Sequence, residues 1–196
     1  MSKGGHVYRF ARSAPLVVEE FADPGIDHRE GEPLSLGSAY LMLGMVAADE
    51  CPPEILNVLD QLNPEKWYHG QLFETMINYF EDRDPALMME IGRGIYYSLA
   101  VQFREMGLNT PTSMLVAMPD VWRTATRGSS GEWRTTIVAA YHARVEVQQP
   151  YNCMFEQAAM EGVLQGLGAR DVRITHEPCM RDGHPYCVFD IRWTER

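Results

Sequence analysis

Residues Pro150 to Trp193 read PYNCMFEQAAMEGVLQGLGARDVRITHEPCMRDGHPYCVFDIRW and contain three of the four cysteines of the chain. Cys179 and Cys187 flank a tight turn at Asp182-Gly183, between two segments of alternating polarity, and Cys153 stands at the start of a helix-forming segment. Such a turn brings two thiols close together, and three sulfurs beside an imidazole or carboxylate suit a four-coordinate zinc ion. The sequence therefore predicts a zinc staple in this part of the chain.

The residues alone leave the fourth zinc ligand open. Alternation along the preceding strand places Glu177 on the side of Cys179, whereas a bulge at Pro178 would turn His176 toward it instead. Cysteines at the edges of three separate elements favour a closed structural site with no open position for water. Two other interpretations remain: three buried thiols that act as small apolar residues, or a redox switch that releases its metal on oxidation.

The composition predicts one globular domain. The chain has 196 residues, of which 45% are hydrophobic, and a formal net charge of -10. The negative charge argues against nucleic-acid binding. The sequence shows neither an apolar run of the roughly 20 residues that a membrane helix needs nor a secretory signal. We therefore expect a cytoplasmic protein without a membrane segment, in which spaced cysteines are more often metal ligands than disulfides.

The order of the predicted elements indicates an α+β fold. Residues 1–35 are rich in Gly, Pro and acidic residues after an apolar patch, which predicts a flexible N-terminal arm. Residues 36–196 form the predicted domain: helices first, two of them starting at Asn63-Pro64 and Asp84-Pro85. Strands within 132–149, 171–177 and 185–193 follow, with a helix over 153–167 crossing them. We expect N-terminal helices packed on a small antiparallel sheet, held by the zinc staple.

Several residues of this C-terminal part carry a resemblance to a known family. They are Cys153, Glu161-Gly162, Gly168-Ala169, Cys179, Gly183, Cys187-Val188-Phe189 and Ile191-Arg192-Trp193. This pattern resembles the 4-vinyl reductase domain, found in a bacteriochlorophyll-biosynthesis protein and in sensor modules of bacterial activators that respond to aromatic compounds. That domain is similar in fold to subunits of the TRAPP vesicle-tethering complex and to heme-based nitric-oxide sensor domains. The resemblance covers residues 130–193 best.

The resemblance implies a ligand set for the metal. In the sensor modules, zinc is bound by three cysteines and an acidic residue three positions before the second cysteine. The cysteines fall on Cys153, Cys179 and Cys187, and the acidic position falls on His176, which is itself a common type of zinc ligand. We therefore predict His176 as the fourth ligand, with Glu177 as the alternative.

The resemblance also implies a cavity between the sheet and the helices that encloses an aromatic ligand. In the sensor modules a tryptophan and a histidine bind the polar end of that ligand; the histidine position falls near Arg104 here. Apolar cavities with a few polar groups are typical of small-molecule sites. The predicted pocket residues are Tyr96, Tyr97, Phe103, Trp122, Trp133, Tyr141 and His142.

The function predicted from these features is a non-catalytic sensor module. It would bind a small hydrophobic or aromatic ligand, form a homodimer and signal through a partner protein. An enzyme or accessory of tetrapyrrole reduction is one alternative, and a dimeric scaffold is another. Heme is not expected, because the helical candidate for an iron ligand, His69, lies in a polar stretch.

Overall fold

The computed structural model describes residues 8–23 and 31–195. Within these ranges the α-helices are α1 (Val18–Phe21), α2 (Gly37–Ala47), α3 (Pro53–Gln61), α4 (Gln71–Arg83), α5 (Pro85–Glu105), α6 (Pro111–Ala125) and α7 (Cys153–Gly166). The strands are β1 (Leu34–Leu36), β2 (Trp67–His69), β3 (Thr126–Arg127), β4 (Glu132–Ala139), β5 (His142–Gln148), β6 (Arg170–His176) and β7 (Cys187–Thr194). The predicted α+β class, with helices on an antiparallel sheet, is confirmed.

The larger sheet has four antiparallel strands in the order β4-β5-β7-β6. Val145 in β5 pairs with Phe189 in β7, and both side chains are fully buried. The helix α7 joins β5 to β6 and packs against α5 and β6. The crossing helix predicted from residues 153–167 is therefore present at that position.

A second sheet, in the order β2-β1-β3, was not predicted. Its strands have three residues or fewer, too short for alternation to be visible. The helix start predicted at Asn63-Pro64 is wrong: Asn63 instead accepts a hydrogen bond from the backbone N–H of Glu65, and β2 precedes the helix. The start at Asp84-Pro85 is confirmed, because the Asp84 side chain accepts hydrogen bonds from two N–H groups of α5.

Glycines bring α5 and α7 into close contact. A Cβ atom at Gly162 in α7 would lie 2.1 Å from the carbonyl oxygen of Arg93 in α5. A Cβ at Gly92 in α5 would lie 3.1 Å from the ring and from the carbonyl oxygen of Phe155. Because glycine has no side chain, the backbones of the two helices can approach closely at these positions. Both helices contribute to the wall of the cavity described below.

The described part of the N-terminal segment packs on α4. Gln71 exchanges two hydrogen bonds with the backbone of Ala11, and Arg12 pairs with Glu81 and Asp82. Val18 and Phe21 are buried in the helical core. Residues 1–7 and 24–30 lie outside the described ranges. The division into a flexible arm and one domain stays a prediction.

None of the helices in the described ranges combines the length and the apolar character needed to cross a lipid bilayer.

Candidate functional site

A cavity of about 260 Å³ lies between the helices and the first strand of the larger sheet. The elements α2, α5, α6, α7 and β4 contribute most of its wall. Its apolar lining consists of Ala39, Met42, Phe73, Ile95, Leu99, Phe103, Met106, Met118, Val121, Ala125, Phe155, Ala159 and Met160. The helix α5 supplies Ile95, Leu99 and Phe103 at four-residue steps, which places them on one face. The volume and lining suit a molecule about the size of one aromatic ring.

The opening of the cavity lies beside α5 and α6. Gln102 and Met106 near the end of α5 are exposed, as is Thr124 near the end of α6, and all three line the cavity. The opposite end is closed by Phe73 and Phe155, whose rings lie 5.7 Å apart at a steep angle. A ligand would therefore enter along the C-terminal ends of two helices.

Two indole groups contribute unpaired donors to the wall. Trp122 in α6 and Trp133 in β4 have ring centroids 5.4 Å apart. Both indole Nε1 atoms are buried, and neither finds a hydrogen-bond acceptor among the described residues. A buried N–H without an acceptor is costly, so both groups would be stabilised by an oxygen or nitrogen acceptor.

Glu156 is the only charged side chain in the described lining of the cavity. It stands on α7, and the residue is 5% exposed. Burial, together with the nearby charge of Glu74, raises the pKa of Glu156 to about 8. Burial likewise raises the pKa of Glu74 on α4 to about 7. At neutral pH the Glu156 carboxyl group, which is ordinarily ionised, is therefore mostly protonated.

Two tyrosines lie near Glu156. Burial and the charge of Glu156 raise the pKa of Tyr96 far above its usual value. Burial raises the pKa of Tyr151 to about 12, and its hydroxyl lies 2.6 Å from that of Ser35. Both phenols therefore stay protonated, so neither supplies a negative charge to the cavity.

Four of the seven predicted pocket residues, Tyr96, Phe103, Trp122 and Trp133, line this cavity. The other three lie elsewhere. Tyr97 follows Tyr96 on α5 and so points away from the cavity, with 56% of the residue exposed. Tyr141 lies in the turn between β4 and β5 against Trp193, and His142 pairs with Asp190 across the sheet at 2.7 Å.

Sequence reasoning missed Glu156, although the sequence carries a signal for it. Glu156 shares a helix face with Met160 and Val163, at steps of four and three residues, and both are buried. An acidic residue inside such an apolar stripe indicates a buried carboxyl group.

Cys153, His176, Cys179 and Cys187 form a separate cluster at the edge of the larger sheet. One ligand atom from each lies within 4.8 Å of those of the others. The Sγ atoms of Cys153 and Cys179 are 3.5 Å apart, and those of Cys179 and Cys187 are 4.0 Å apart. The N-terminus of α7, the end of β6, the following turn and the start of β7 supply the four residues. All four cysteines of the chain are free thiols.

Local contacts distinguish the thiols from one another. The neighbouring thiol of Cys153, the ring of His176 and the backbone N–H of Met180 all lower the pKa of Cys187. The pKa of Cys153 is raised, first by Cys187 and then by burial. The cluster therefore favours one thiolate and opposes a second unless a cation is present.

Of the two candidates for the fourth position, the structure brings His176 to the thiols. Its ring stacks on Phe189 at 4.3 Å, and its buried Nε2 atom has no hydrogen-bond partner among the described residues. Glu177 is exposed, with its backbone N–H bonded to Val188. Glu177 donates its backbone N–H to Val188 of β7, and the carbonyl oxygen of Pro178 accepts from the N–H of the same residue, so two residues face one. The alternation that favoured Glu177 therefore does not continue to Cys179.

His69, the residue considered for heme, is in β2 rather than in a helix. It is 6% exposed, packs against the rings of Tyr8 and Phe10, and accepts a hydrogen bond from the backbone N–H of Gln71. It does not line the cavity. His69 is therefore buried, and it also lies 3.7 Å from a carboxylate oxygen of Glu32.

No protein-family model matches the chain. No curated protein matches it either. The 4-vinyl reductase resemblance therefore stays a prediction.

Solved structures of H-NOX domains do match. An H-NOX protein from S. oneidensis in the Fe(II)NO ligation state has a TM-score of 0.65 at 14% identity, over 82% of this chain and 99% of that one. A structure described as giving insights into the mechanism of H-NOX activation has a TM-score of 0.61 at 12% identity, over 81% and 94% of the two chains. A third, from work on heme distortion in the H-NOX family, has a TM-score of 0.57 at 13% identity, over 81% and 93%.

These neighbours correct the prediction of the cofactor. They are described by iron ligation states and by heme, not by zinc, so the prediction of zinc is wrong. The convergence of three thiols and one imidazole does not by itself identify an element. What the comparison shows for this chain is its fold: the mixed arrangement of helices with two antiparallel sheets found in H-NOX domains.

Proposed function

We propose that this chain is a non-catalytic sensor module that encloses a small hydrophobic ligand, of the size of one aromatic ring, in the cavity between α5, α6, α7 and β4. The observation that carries the proposal is the cavity itself, with apolar walls and two buried indole N–H groups that lack acceptors. Small-molecule sites are generally built in this way, with few polar groups that fix orientation. The H-NOX fold supports the proposal, since its solved members are described in NO- and CO-ligated states.

The residues of the cavity do not fit heme, the group of the neighbouring structures. The described lining includes no histidine or cysteine to bind iron, and no lysine or arginine to pair with propionates. Tyrosinate ligation is opposed because the pKa values of Tyr96 and Tyr151 are raised. A volume of about 260 Å³ is also small for a tetrapyrrole. The proposed ligand is therefore an organic molecule bound directly by the protein.

Exposed apolar side chains on α5 support an output through another protein chain. Tyr97 and Val101, one turn apart, are 56% and 60% exposed. The same helix contributes Tyr96, Leu99 and Phe103 to the cavity. A shift of α5 on ligand binding would therefore reach this surface directly. Light scattering on the full chain distinguishes a homodimer from a monomer that signals to a different protein.

The proposed function is tested by ligand-dependent stability. Benzene, indole and benzyl alcohol are expected to raise the melting temperature, since a ligand at 100 times its Kd adds about 2.7 kcal/mol to stability. Ala159→Phe, which fills the cavity, is expected to remove the effect, whereas Ala117→Phe on α6, outside the lining, is expected to keep it. Equal shifts in both variants, or none in the wild-type chain, would contradict the proposal. Ala39→Phe, on the opposite wall, replaces Ala159→Phe if that variant does not fold.

For the four-residue cluster, we propose a structural metal site formed by Cys153, His176, Cys179 and Cys187. The convergence of the four ligand atoms and the unpaired Nε2 of His176 support it. Elemental analysis of protein purified without chelator is expected to give one metal ion per chain and to identify the element. Cys187→Ser should lose that ion, and Cys51→Ser, which changes a buried cysteine outside the cluster, should retain it. A wild-type chain free of metal would refute the site.

A further inference from the structure

Glu156 is a buried acid without a partner. Burial and the charge of Glu74 alone determine the state of its carboxyl group, with no hydrogen bond from a described residue. No described lysine, arginine or histidine lines the cavity beside it. Buried carboxyl groups are normally paired or hydrogen-bonded, because an isolated one loses its hydration. Since Glu156 lines the cavity, a bound molecule can reach its oxygens.

The surroundings of Glu156 attract positive charge. Glu74 on α4 is a second buried carboxyl group, close enough to raise the pKa of Glu156. Aromatic side chains, among them Phe73, Trp122 and Phe155, also line the cavity. The faces of such rings attract cations, most strongly where water is excluded. The carboxyl groups and the faces of the aromatic rings therefore favour a cation over an anion in this part of the cavity.

We propose that the cavity selects ligands that carry a protonated amine on an aromatic or apolar body, and that Glu156 is the residue that pairs with the amine. This inference rests on the proposed ligand-binding function and specifies its ligand class. The ammonium group supplies hydrogen-bond donors and a charge to the carboxylate, and the apolar body fills the rest of the cavity. Carboxylates and phenolates are disfavoured because the described lining includes no lysine, arginine or histidine, so their charge would be buried without a counter-charge.

Pairing of Glu156 with an amine can be recognised by the release of a proton. With a pKa of about 8, the free carboxyl group is mostly protonated at pH 7. Pairing with an ammonium ion favours the carboxylate, so binding releases close to one proton. The titratable groups that face Glu156 are Glu74 from α4, Tyr96 from α5 and Tyr151 from the segment before α7; α6 contributes no charged group to the described lining.

The experiment compares three probes of equal size on the full chain: benzylamine, benzyl alcohol and benzoate. Calorimetry at pH 7, in two buffers with different ionisation enthalpies, measures both affinity and proton release. We expect benzylamine to bind at least about tenfold more tightly than benzyl alcohol, benzoate to bind least, and only benzylamine to release a proton. Glu156→Gln should bring benzylamine and benzyl alcohol within about twofold of each other and abolish the release.

The outcomes separate this inference from the proposed function. If benzyl alcohol binds as well as benzylamine, or if Glu156→Gln leaves the amine preference unchanged, the amine inference fails and the ligand-binding function stands. If none of the three probes binds, the proposed function fails and the inference fails with it. Should Glu156→Gln not fold by circular dichroism, Glu156→Met removes the acid at similar length and is held to the same criteria.

Discussion

The Glu156→Gln variant is expected to gain about 4 kcal/mol of unfolding free energy relative to the wild-type chain as the pH rises from 5 to 9. The folded state raises the pKa of Glu156 to about 8, from its ordinary value of 4.5. Between these two values the folded chain keeps a proton that the unfolded chain has lost, so wild-type stability falls as pH rises. Below about 4.5 both states are protonated, and above about 8 both are ionised, so the slope vanishes there.

Urea unfolding at several pH values, on both proteins, measures this difference. The comparison between variants is needed because other groups act in the opposite direction: the lowered pKa of Cys187 adds stability as pH rises. Glu90→Gln, the same change at an exposed position of α5, is the control and should follow the wild-type curve. A constant difference between Glu156→Gln and wild type across this range would show that the carboxyl group is not buried as described.

Truncation of Phe155 is expected to cost about 3–5 kcal/mol of unfolding free energy in the Phe155→Ala variant. Phe155 is 2% exposed, and its ring lies against Gly92 in α5 and 5.7 Å from the ring of Phe73. Its removal leaves a void where α4, α5 and α7 meet. Because α5 and α7 are held together by backbone contact at Gly162, they have little freedom to close that void.

Chemical denaturation at one pH, with two-state analysis, measures the loss. Val101→Ala on the exposed side of α5 removes apolar atoms at a position that is 60% exposed, and should change stability by less than about 0.5 kcal/mol. A loss below about 1 kcal/mol for Phe155→Ala would mean that the helices collapse into the void, contrary to the close packing described.

The helices and strands that could be predicted from the sequence are those marked by residues within a single short segment. Asp84 before Pro85 marks a helix start because its side chain caps the N–H groups that follow, and the alternation of residues 187–193 marks a strand. Asn63-Pro64 carries the same local signal as Asp84-Pro85 and yet precedes a strand, because β2 gains its hydrogen bonds from β1, more than 30 residues earlier. Pairing between distant short segments has no local signature.

The same contrast between local signals and contacts of distant segments applies to the candidate sites. Cysteine spacing predicted the cluster, and the structure brings those residues together. The choice between His176 and Glu177 depended on whether the strand bulges at Pro178, which the sequence does not specify. The cavity depends on how α5, α6 and α7 pack, so neighbours such as Tyr96 and Tyr97 could not be separated by residue type. The chemistry of Glu156 depends on burial in three dimensions.

Glu81 joins two parts of the chain that lie far apart in sequence. Its half-buried carboxylate pairs with Arg12 of the N-terminal segment and with Arg181, two residues after Cys179. Arg12 also pairs with Asp82, so withdrawal of the N-terminal segment would leave Glu81 with Arg181 as its remaining arginine partner. Since Arg181 also interacts with the charge of Cys153, a change at the N-terminal segment would alter the electric field at the thiols without contact between the two.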